Sequence, residues 1–453
     1  MKYTKLKVAA MAAGAAASAL CSFEANAQTS DPALNALVKK GLLTEQEAKA
    51  AATEREAQAA KAKPADHDVR FFWKDGLNFQ SGDGKTFNGK IGGRLQYDFA
   101  GFEESEGARA LVGNTPFSTE FRRARLYTSG EINEGVPIYY ILQLEFAGAD
   151  VRFADAYLGM KEIPLVGSLQ VGQFYEPFSL EQLTSDNYVT FLERALPIEA
   201  FSPARNVGGM IQNHQFDERM TYAFGFFADD KTDDANEVPY ESNARFTARV
   251  TGLPWYDEES KGRRYLHLGA GGSIVNPEDD MVQYRSRPEA HLAPRYVDTG
   301  VFPADMAYVA NGEVLFTYDR LSLQGEYMQN WNDSPATGDS QLSGFYAFAS
   351  YFLTDDYRPY KKSSGTADRV KPKKNFSFNG GGWGAWEVLA RFSYLDLNDG
   401  TVRGGRLADY TAGLGWYINP NTRWLFNYIY ADLDRAAGSG HTHIFQMRCQ
   451  VDF

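Results

Sequence analysis

From Lys85 to its last residue the chain keeps one rhythm, in which apolar and polar residues alternate over runs of about ten. Ile91, Gly93, Leu95, Tyr97 and Phe99 are interleaved with Gly92, Arg94, Gln96 and Asp98. Ala244, Phe246, Ala248 and Val250 oppose Arg245, Thr247, Arg249 and Thr251, and Trp386, Val388, Ala390, Phe392 and Tyr394 oppose Glu387, Leu389, Arg391 and Ser393. A period of two places successive side chains on opposite faces, so each run reads as a β-strand with one apolar and one polar face. Strands of globular proteins average about five or six residues, whereas a tilted strand that crosses a bilayer needs about nine to eleven. The length of the alternation therefore points to strands that cross a membrane.

Sixteen such stretches can be placed, with cores at 90–100, 121–132, 137–147, 151–161, 167–174, 207–214, 220–228, 242–252, 263–274, 305–316, 320–331, 342–353, 384–397, 407–417, 422–433 and 443–453. An even number suits a closed antiparallel barrel of the outer-membrane type. The connections sort into two classes. After even-numbered strands they are mostly short: Asn133–Val136, Glu162–Val166, Gln215–Glu218, Thr317–Asp319 and Ile418–Asn421. After odd-numbered strands they include Phe102–Ser118, Tyr175–Arg205 and Val275–Pro303. Short turns at one rim and long loops at the other are what such barrels show. Thr354–Gly382 is the exception, a long basic segment that follows an even strand. The last strand alternates Phe445, Met447, Cys449, Val451 and Phe453 with Gln446, Arg448, Gln450 and Asp452, and so ends on an aromatic of the apolar face. Aromatics make up 14% of residues and glycine occurs 42 times, as in barrels whose strands are half polar. A large secreted β-sandwich enzyme has a similar composition, so the weight rests on strand length and rim asymmetry.

The first residues follow a different logic. Lys2, Lys5 and Lys7 precede an apolar run from Val8 to Leu20 and an Ala25-Asn26-Ala27 site, the pattern of a secretory signal peptide over residues 1–27. Its removal leaves 43 basic against 57 acidic residues, a formal charge of −14, and Cys449 as the one cysteine, with no internal disulfide for an exported protein. Residues 28–66 are rich in Ala, Glu and Lys, with a Thr44/Glu47 capping pattern that predicts a helix from about Glu45 to Lys61, stopped by Pro64. We read 28–66 as a periplasmic helical segment, either a short coiled coil with peptidoglycan contact through 28–63 or a lone solvated helix and linker. Residues 67–453 are read as the barrel domain.

Tyr175–Arg205 is the connection that most asks for a function. It is far longer than an ordinary loop and half apolar, with Phe178, Leu180, Phe191, Leu196, Ile198 and Phe201, so it needs a surface to pack on. It also carries Glu176, Glu181, Asp186, Glu193, Arg194 and Glu199. A segment of this kind is an active-site lid or a loop folded into a barrel's bore. Enzyme signatures are absent: no G-x-S-x-G elbow, no H-E-x-x-H and no P-loop occur. The His441/His443 pair has no third metal ligand nearby in sequence, Glu176 and Glu181 are a weak glycosidase pair, and the Lys371–Lys374 run is too small a patch for nucleic acid. No cofactor is expected.

GQFYEPFSLEQLTSDNYVTFLERALP from Gly172, followed by FSPARNVGGMI from Phe201, resembles the constriction-loop region of the phosphate-selective porin O and P family. FRRARLYTSG from Phe121, YFLTDDYRPYKK from Tyr351 and GGWGAWEVLARFSYLDLNDG from Gly381 resemble further stretches of it. The resemblance implies an all-β, 16-stranded antiparallel transmembrane β-barrel, a homotrimer in outer-membrane lipid of a Gram-negative bacterium. It implies that the loop after the fifth strand folds inward as a constriction, and that Val275–Pro303 and Thr354–Gly382 also turn inward. Phosphate-selective members place cations along the lumen and commonly carry Lys where this chain has Tyr175. The pore-lining, anion-binding candidates here are Arg94, Arg123, Arg125, Arg245, Arg249 and Arg391, each alternatively a structural arginine paired to a carboxylate. Tyr175, Glu176, Arg194 and Arg205 are assigned to the constriction, with Arg194 and Arg205 lining the eyelet or pinning the loop to the wall. The expected function is diffusion of small anions, phosphate or pyrophosphate among them, and of small hydrophilic solutes. The alternatives are a weakly selective porin, a surface adhesin or envelope tether, and a secreted all-β carbohydrate-active enzyme.

Overall fold

The computed structural model describes residues 32–61, 68–74, 76–148, 150–229 and 243–453. The expected signal peptide, 1–27, lies outside the described residues, as do residues 230–242. Two units separate near residue 65.

The first unit has two helices, α1 (Pro32–Lys39) and α2 (Glu45–Lys61). α2 starts where Thr44 and Glu47 satisfy each other: the Thr44 amide donates to the Glu47 carboxylate at 2.8 Å and the Glu47 amide to Thr44 Oγ1 at 3.3 Å. This reciprocal cap satisfies two amides that a helix start leaves without partners. The sequence reading had α2 and not α1.

The second unit is a closed barrel of β1 (Phe87–Glu104), β2 (Ser118–Glu134), β3 (Val136–Glu145), β4 (Arg152–Ile163), β5 (Gly167–Tyr175), β6 (Arg205–Gln215), β7 (Met220–Asp229) and β8 (Asn243–Tyr256), continued by β9 (Arg264–Val275), β10 (Met306–Tyr318), β11 (Leu321–Asp333), β12 (Ser340–Phe352), β13 (Ala385–Asp399), β14 (Val402–Asn419), β15 (Thr422–Arg435) and β16 (Gly438–Asp452). Neighbours pair antiparallel throughout, and β16 returns to β1 over Thr442↔Glu104 to Asp452↔Arg94. Closure leaves no unpaired edge, the condition for strands to stand in lipid. A hairpin of Val69–Trp73 and Leu77–Ser81 extends the sheet beside the start of β1.

The alternation does what its period requires. Leu95, Leu126, Leu158, Val171, Phe226, Val250, Phe345 and Phe445 are exposed on the outer face, whereas Gln96, Arg125, Arg249, Arg391 and Arg448 are buried inside. At the short-turn rim the outer face carries stacked rings, Trp386 on Trp416 at 5.1 Å and Trp255 on Phe316 at 6.0 Å, an interfacial aromatic girdle. Phe453 closes the ring by exchanging backbone hydrogen bonds with Gly93 at 2.9 and 3.0 Å. A Cβ on Gly92 would fall 2.4 Å from the Phe453 carbonyl and from the Tyr127 hydroxyl. Gly92→Ala is therefore expected to lower the yield of folded barrel, read as loss of the heat-modifiable species on gels; an unchanged yield would show that the seam relaxes.

Among the described residues, three segments enter the bore. Loop 176–204 does so with its short helices α3 (Leu180–Leu183) and α4 (Leu196–Phe201). Its Phe178, Phe191, Leu196 and Ile198 join Tyr346, Phe348 and Leu389 of the wall in an apolar core inside the barrel. Loop 276–305 adds Ala290, Tyr296 and Val297 against Leu395, Leu407, Ile429 and Leu433. Each large side chain buried this way contributes about 2 kcal/mol. The long turn 353–384 is the third: Asp356, Arg358, Thr366 and Val370 are buried in the bore, while Phe378 and Trp383 stand exposed at the rim. That inward course explains why this turn breaks the short-turn rule.

Candidate functional site: the constriction

The loop after β5 is held by charge as well as by apolar contact. Asp186, 2% exposed, takes ion pairs from Arg94 at 3.5 Å, Arg123 at 3.0 Å, Arg125 at 3.0 Å and Arg194 at 2.9 Å. Burial by itself would raise its pKa. The joint field of Arg123, Arg194, Arg125 and Arg94 overrides burial and holds the carboxyl well below the usual range. Glu193 is placed the same way: burial is outweighed by Arg122, which grips it with bonds of 2.8 and 3.0 Å, and by Arg448 at 2.6 Å. Arg448 also pairs with Asp98, at 2.7 and 2.6 Å. Glu181 and Glu289, from two different loops, share Arg391 of β13. Arg423 of β15 donates to the Val189 and Asp186 carbonyls at 2.7 and 3.2 Å. From the opposite wall, the Glu326 carboxylate accepts the amides of Leu180 and Glu181 at 3.2 and 2.8 Å and so caps α3.

At the mouth of the loop Tyr175 and Arg205 are register partners. Arg205 makes a two-pronged pair with Asp155, both contacts 3.0 Å, and lays its guanidinium 3.8 Å from the centre of the Tyr175 ring. Arg194 stands over the same ring at 5.7 Å and donates to the carbonyls of Glu181, Gln182 and Thr184. Glu176 is fully buried, taking Asn206 at 2.6 Å, the Thr247 hydroxyl, and Arg245 at 3.6 Å. Arg249 lies farther toward the short-turn rim, paired with Glu313 at 2.7 Å and bonded to the Gly365 carbonyl of the long turn at 2.8 Å.

Two cavities lie on either side of this level. One of about 410 Å³ opens toward the long-loop rim and is lined by Phe201, Asn206, Arg245, Ser273, Tyr284 and Arg285 among others. One of about 1060 Å³ opens toward the short-turn rim and is lined by Tyr139, Tyr157, Tyr175, Gln170, Gln212 and Arg249 among others. Tyr175, Glu176, Arg205, Asn206 and Arg245 occupy the level between them.

The six arginines singled out from sequence all point into the bore, and each has a carboxylate within ion-pair distance. Four further cations escaped notice. Arg122 has lipid-facing parity by strict alternation, but Gln96 pairs with Arg123 while Tyr97 pairs with Phe121, so Arg122 is the extra residue of a bulge and turns inward. Consecutive arginines in FRRAR were the available sign. Arg358 and Arg369 sit on the inward part of the long turn, where no periodicity exists to orient them, and Arg423 had a polar-face position without being chosen.

A sixteen-stranded barrel with a loop folded into its bore and cavities on both sides of the constriction defines an outer-membrane porin. A family model of the phosphate-selective porin O and P matches residues 90–453, and the chain belongs to this family. An uncharacterised protein of Caulobacter vibrioides is 30% identical over 387 residues, 83% of this chain and 75% of that one. Porin O of Pseudomonas aeruginosa is 24% identical over 414 residues, 81% and 88% of the two chains. Among solved structures the fold is similar to OmpT of Vibrio cholerae (TM-score 0.54, 10% identity, 82% of this chain and 100% of that one) and to the anion-selective porin of Comamonas acidovorans (TM-score 0.53, 13% identity, 81% and 100%). The protein is a channel of the Gram-negative outer membrane.

Proposed function

We propose that the channel favours small anions, with small hydrophilic solutes following the same path. One observation carries this reading: six guanidiniums, Arg94, Arg123, Arg125, Arg194, Arg205 and Arg245, share four carboxylates, Glu145, Asp155, Glu176 and Asp186, an excess of two positive charges around the constriction. A fixed cationic excess in a confined, water-poor passage enriches anions and repels cations. Phosphate is one of these anions rather than the sole one, because each guanidinium already holds a carboxylate and has only part of its fork to offer. The anion-selective porin among the fold neighbours is consistent with this preference.

Arg245 borders the open cavity on the long-loop side, so it is a guanidinium of the constriction that a passing ion meets. Arg245→Ala is expected to move the reversal potential in a potassium chloride gradient toward the cation value while folding is retained. An unmoved potential would remove Arg245 from the filter. We further propose export by the signal peptide 1–27, a periplasmic place for 28–66 and a homotrimeric assembly; the Vibrio neighbour is described in a trimer form. Crosslinking in membranes gives the test of the trimer.

A further inference from the structure

The larger cavity has a lining that a charge filter does not call for. Tyr139, Tyr157, Phe174 and Phe227, of β3, β4, β5 and β7, form a row that passes over Gly208 of β6, with ring centres 6.1, 5.6 and 5.5 Å apart and planes turned by 77°, 75° and 73°. The row climbs. Tyr139 is paired with Gly159 and Tyr157 sits two residues nearer the long-loop rim; Tyr157 is paired with Gly172 and Phe174 again sits two residues higher. The Tyr139 ring lies flat on the wall, since a Cβ on Gly159 would fall 2.5 Å from its Cζ. Tyr139 and Tyr157 are partly exposed to the cavity, and Phe174 and Phe227 are buried at the upper end.

Amides and hydroxyls accompany the rings. Gln170 accepts from the Tyr139 hydroxyl at 3.1 Å, Gln212 and Ser168 also border the space, and the Tyr157 hydroxyl makes no hydrogen bond among the described residues. Of the charges at the edge, Lys161 pairs with Glu131 and stands 5.3 Å from the Tyr139 ring, and Arg249 pairs with Glu313, while Glu162, Lys361 and Asp368 also border the space. A sugar ring has an apolar face of C–H bonds and an edge of hydroxyls. The negative face of an aromatic ring attracts such C–H bonds, and neighbouring amides and phenols exchange hydrogen bonds with the edge. A small anion uses neither feature.

We propose that the short-turn side of the bore is a binding station for carbohydrate rings, with Tyr157 as the stacking platform and Gln170, Gln212 and the Tyr157 hydroxyl as partners of the sugar's edge. The station is separate from the charge at the constriction, so a solute carrying both a sugar ring and a negative group would meet each in turn.

The test is maltotriose added to the short-turn side of single channels, with polyethylene glycol of equal mass as the control for volume. The expected result is a current block that saturates with maltotriose and is absent with the polymer. Tyr157→Leu, which keeps bulk and removes the π face, is expected to raise the half-blocking concentration about tenfold, the effect of one aromatic contact of about 1.4 kcal/mol. Tyr157→Phe retains the platform and is expected to raise it less. Unblocked conductance and reversal potential without sugar report that each variant is folded and that ion preference is intact, so loss of anion preference and loss of sugar binding are read independently. A block that rises without saturation, that the polymer reproduces, or that Tyr157→Leu leaves unchanged overturns the proposal.

Discussion

Asp186→Asn is expected to free the constriction loop. The change keeps size and removes the one charge that Arg94, Arg123, Arg125 and Arg194 share. Breaking a buried ion pair from one side costs about 3–5 kcal/mol, because the remaining charges are left without a partner in a space that water solvates poorly. The barrel keeps its ladder, so the cost falls on the loop's attachment. Three readouts follow: protease cleavage within 176–204, a larger and noisier single-channel current, and a reversal potential displaced further toward anions in the fraction of time the loop stays seated. The pH dependence of the parent protein has a definite sign. A carboxyl held below its unfolded value stabilises above that value and loses its contribution only as pH falls through the lower, folded value. Parent channels are therefore expected to keep a quiet current from pH 8 to pH 4, with noise appearing only in stronger acid. Quiet, protease-resistant Asp186→Asn channels would show that apolar contacts alone hold the loop.

Arg391→Met is expected to loosen two loops at once. Arg391 pairs with Glu289 of loop 276–305 and Glu181 of loop 176–204, donates to the Glu193 carbonyl at 3.1 Å, and lies 4.2 Å from the centre of the Phe191 ring. Methionine replaces much of the packing and none of the charge, which leaves two buried carboxylates facing each other at a cost again of about 3–5 kcal/mol. Burial already raises both carboxyls in spite of Arg391, and the charge of Glu193 adds to the effect at Glu181 and that of Glu181 to the effect at Glu289. A carboxyl whose folded pKa lies above its unfolded one is most stable when protonated, and that advantage disappears as pH rises. The variant is thus expected to be noisy at pH 8 and to recover quiet conductance toward pH 5, opposite in sign to Asp186→Asn, which acid cannot rescue. Equal behaviour at both pH values would mean that the damage is one of packing.

The legible and illegible parts of this chain divide along physical lines. A membrane-crossing strand must alternate, so Trp386 to Tyr394 and Phe445 to Phe453 could be assigned to faces from the string of letters. All sixteen strands, the inward loop and the inward long turn were available from alternation, loop length and resemblance. The bulge that turns Arg122 inward was not, because one extra residue reverses parity and the consecutive arginines of FRRAR were its one trace in the sequence. The lumen contained a second surprise. Leu395, Leu397, Leu407 and Leu433 belong to the inner face, where a water-filled bore calls for polar residues, and they are buried because loop 276–305 covers them. Apolar letters on the polar side of the alternation, present in LDL and LADY, were the sign of that cover. At the constriction the residue types were readable and the pairings were not. Asp186 meets Arg94 across 92 positions and Glu289 meets Arg391 across 102, and separations of that size carry no periodic signal. The aromatic row was hidden for the same reason: Tyr139, Tyr157, Phe174 and Phe227 come together only when the five strands β3 to β7 are laid side by side.

The measurement that bears most directly on these conclusions is the zero-current potential of single channels in a planar bilayer under a potassium chloride gradient at neutral pH, repeated with phosphate. The excess of two positive charges around the constriction requires chloride to be more permeant than potassium, with phosphate conducted and lowering the chloride current in proportion to its occupancy. A potential of cation-selective sign would mean that the carboxylates of the inward loops govern the passage and that the arginines serve only to hold those loops in place.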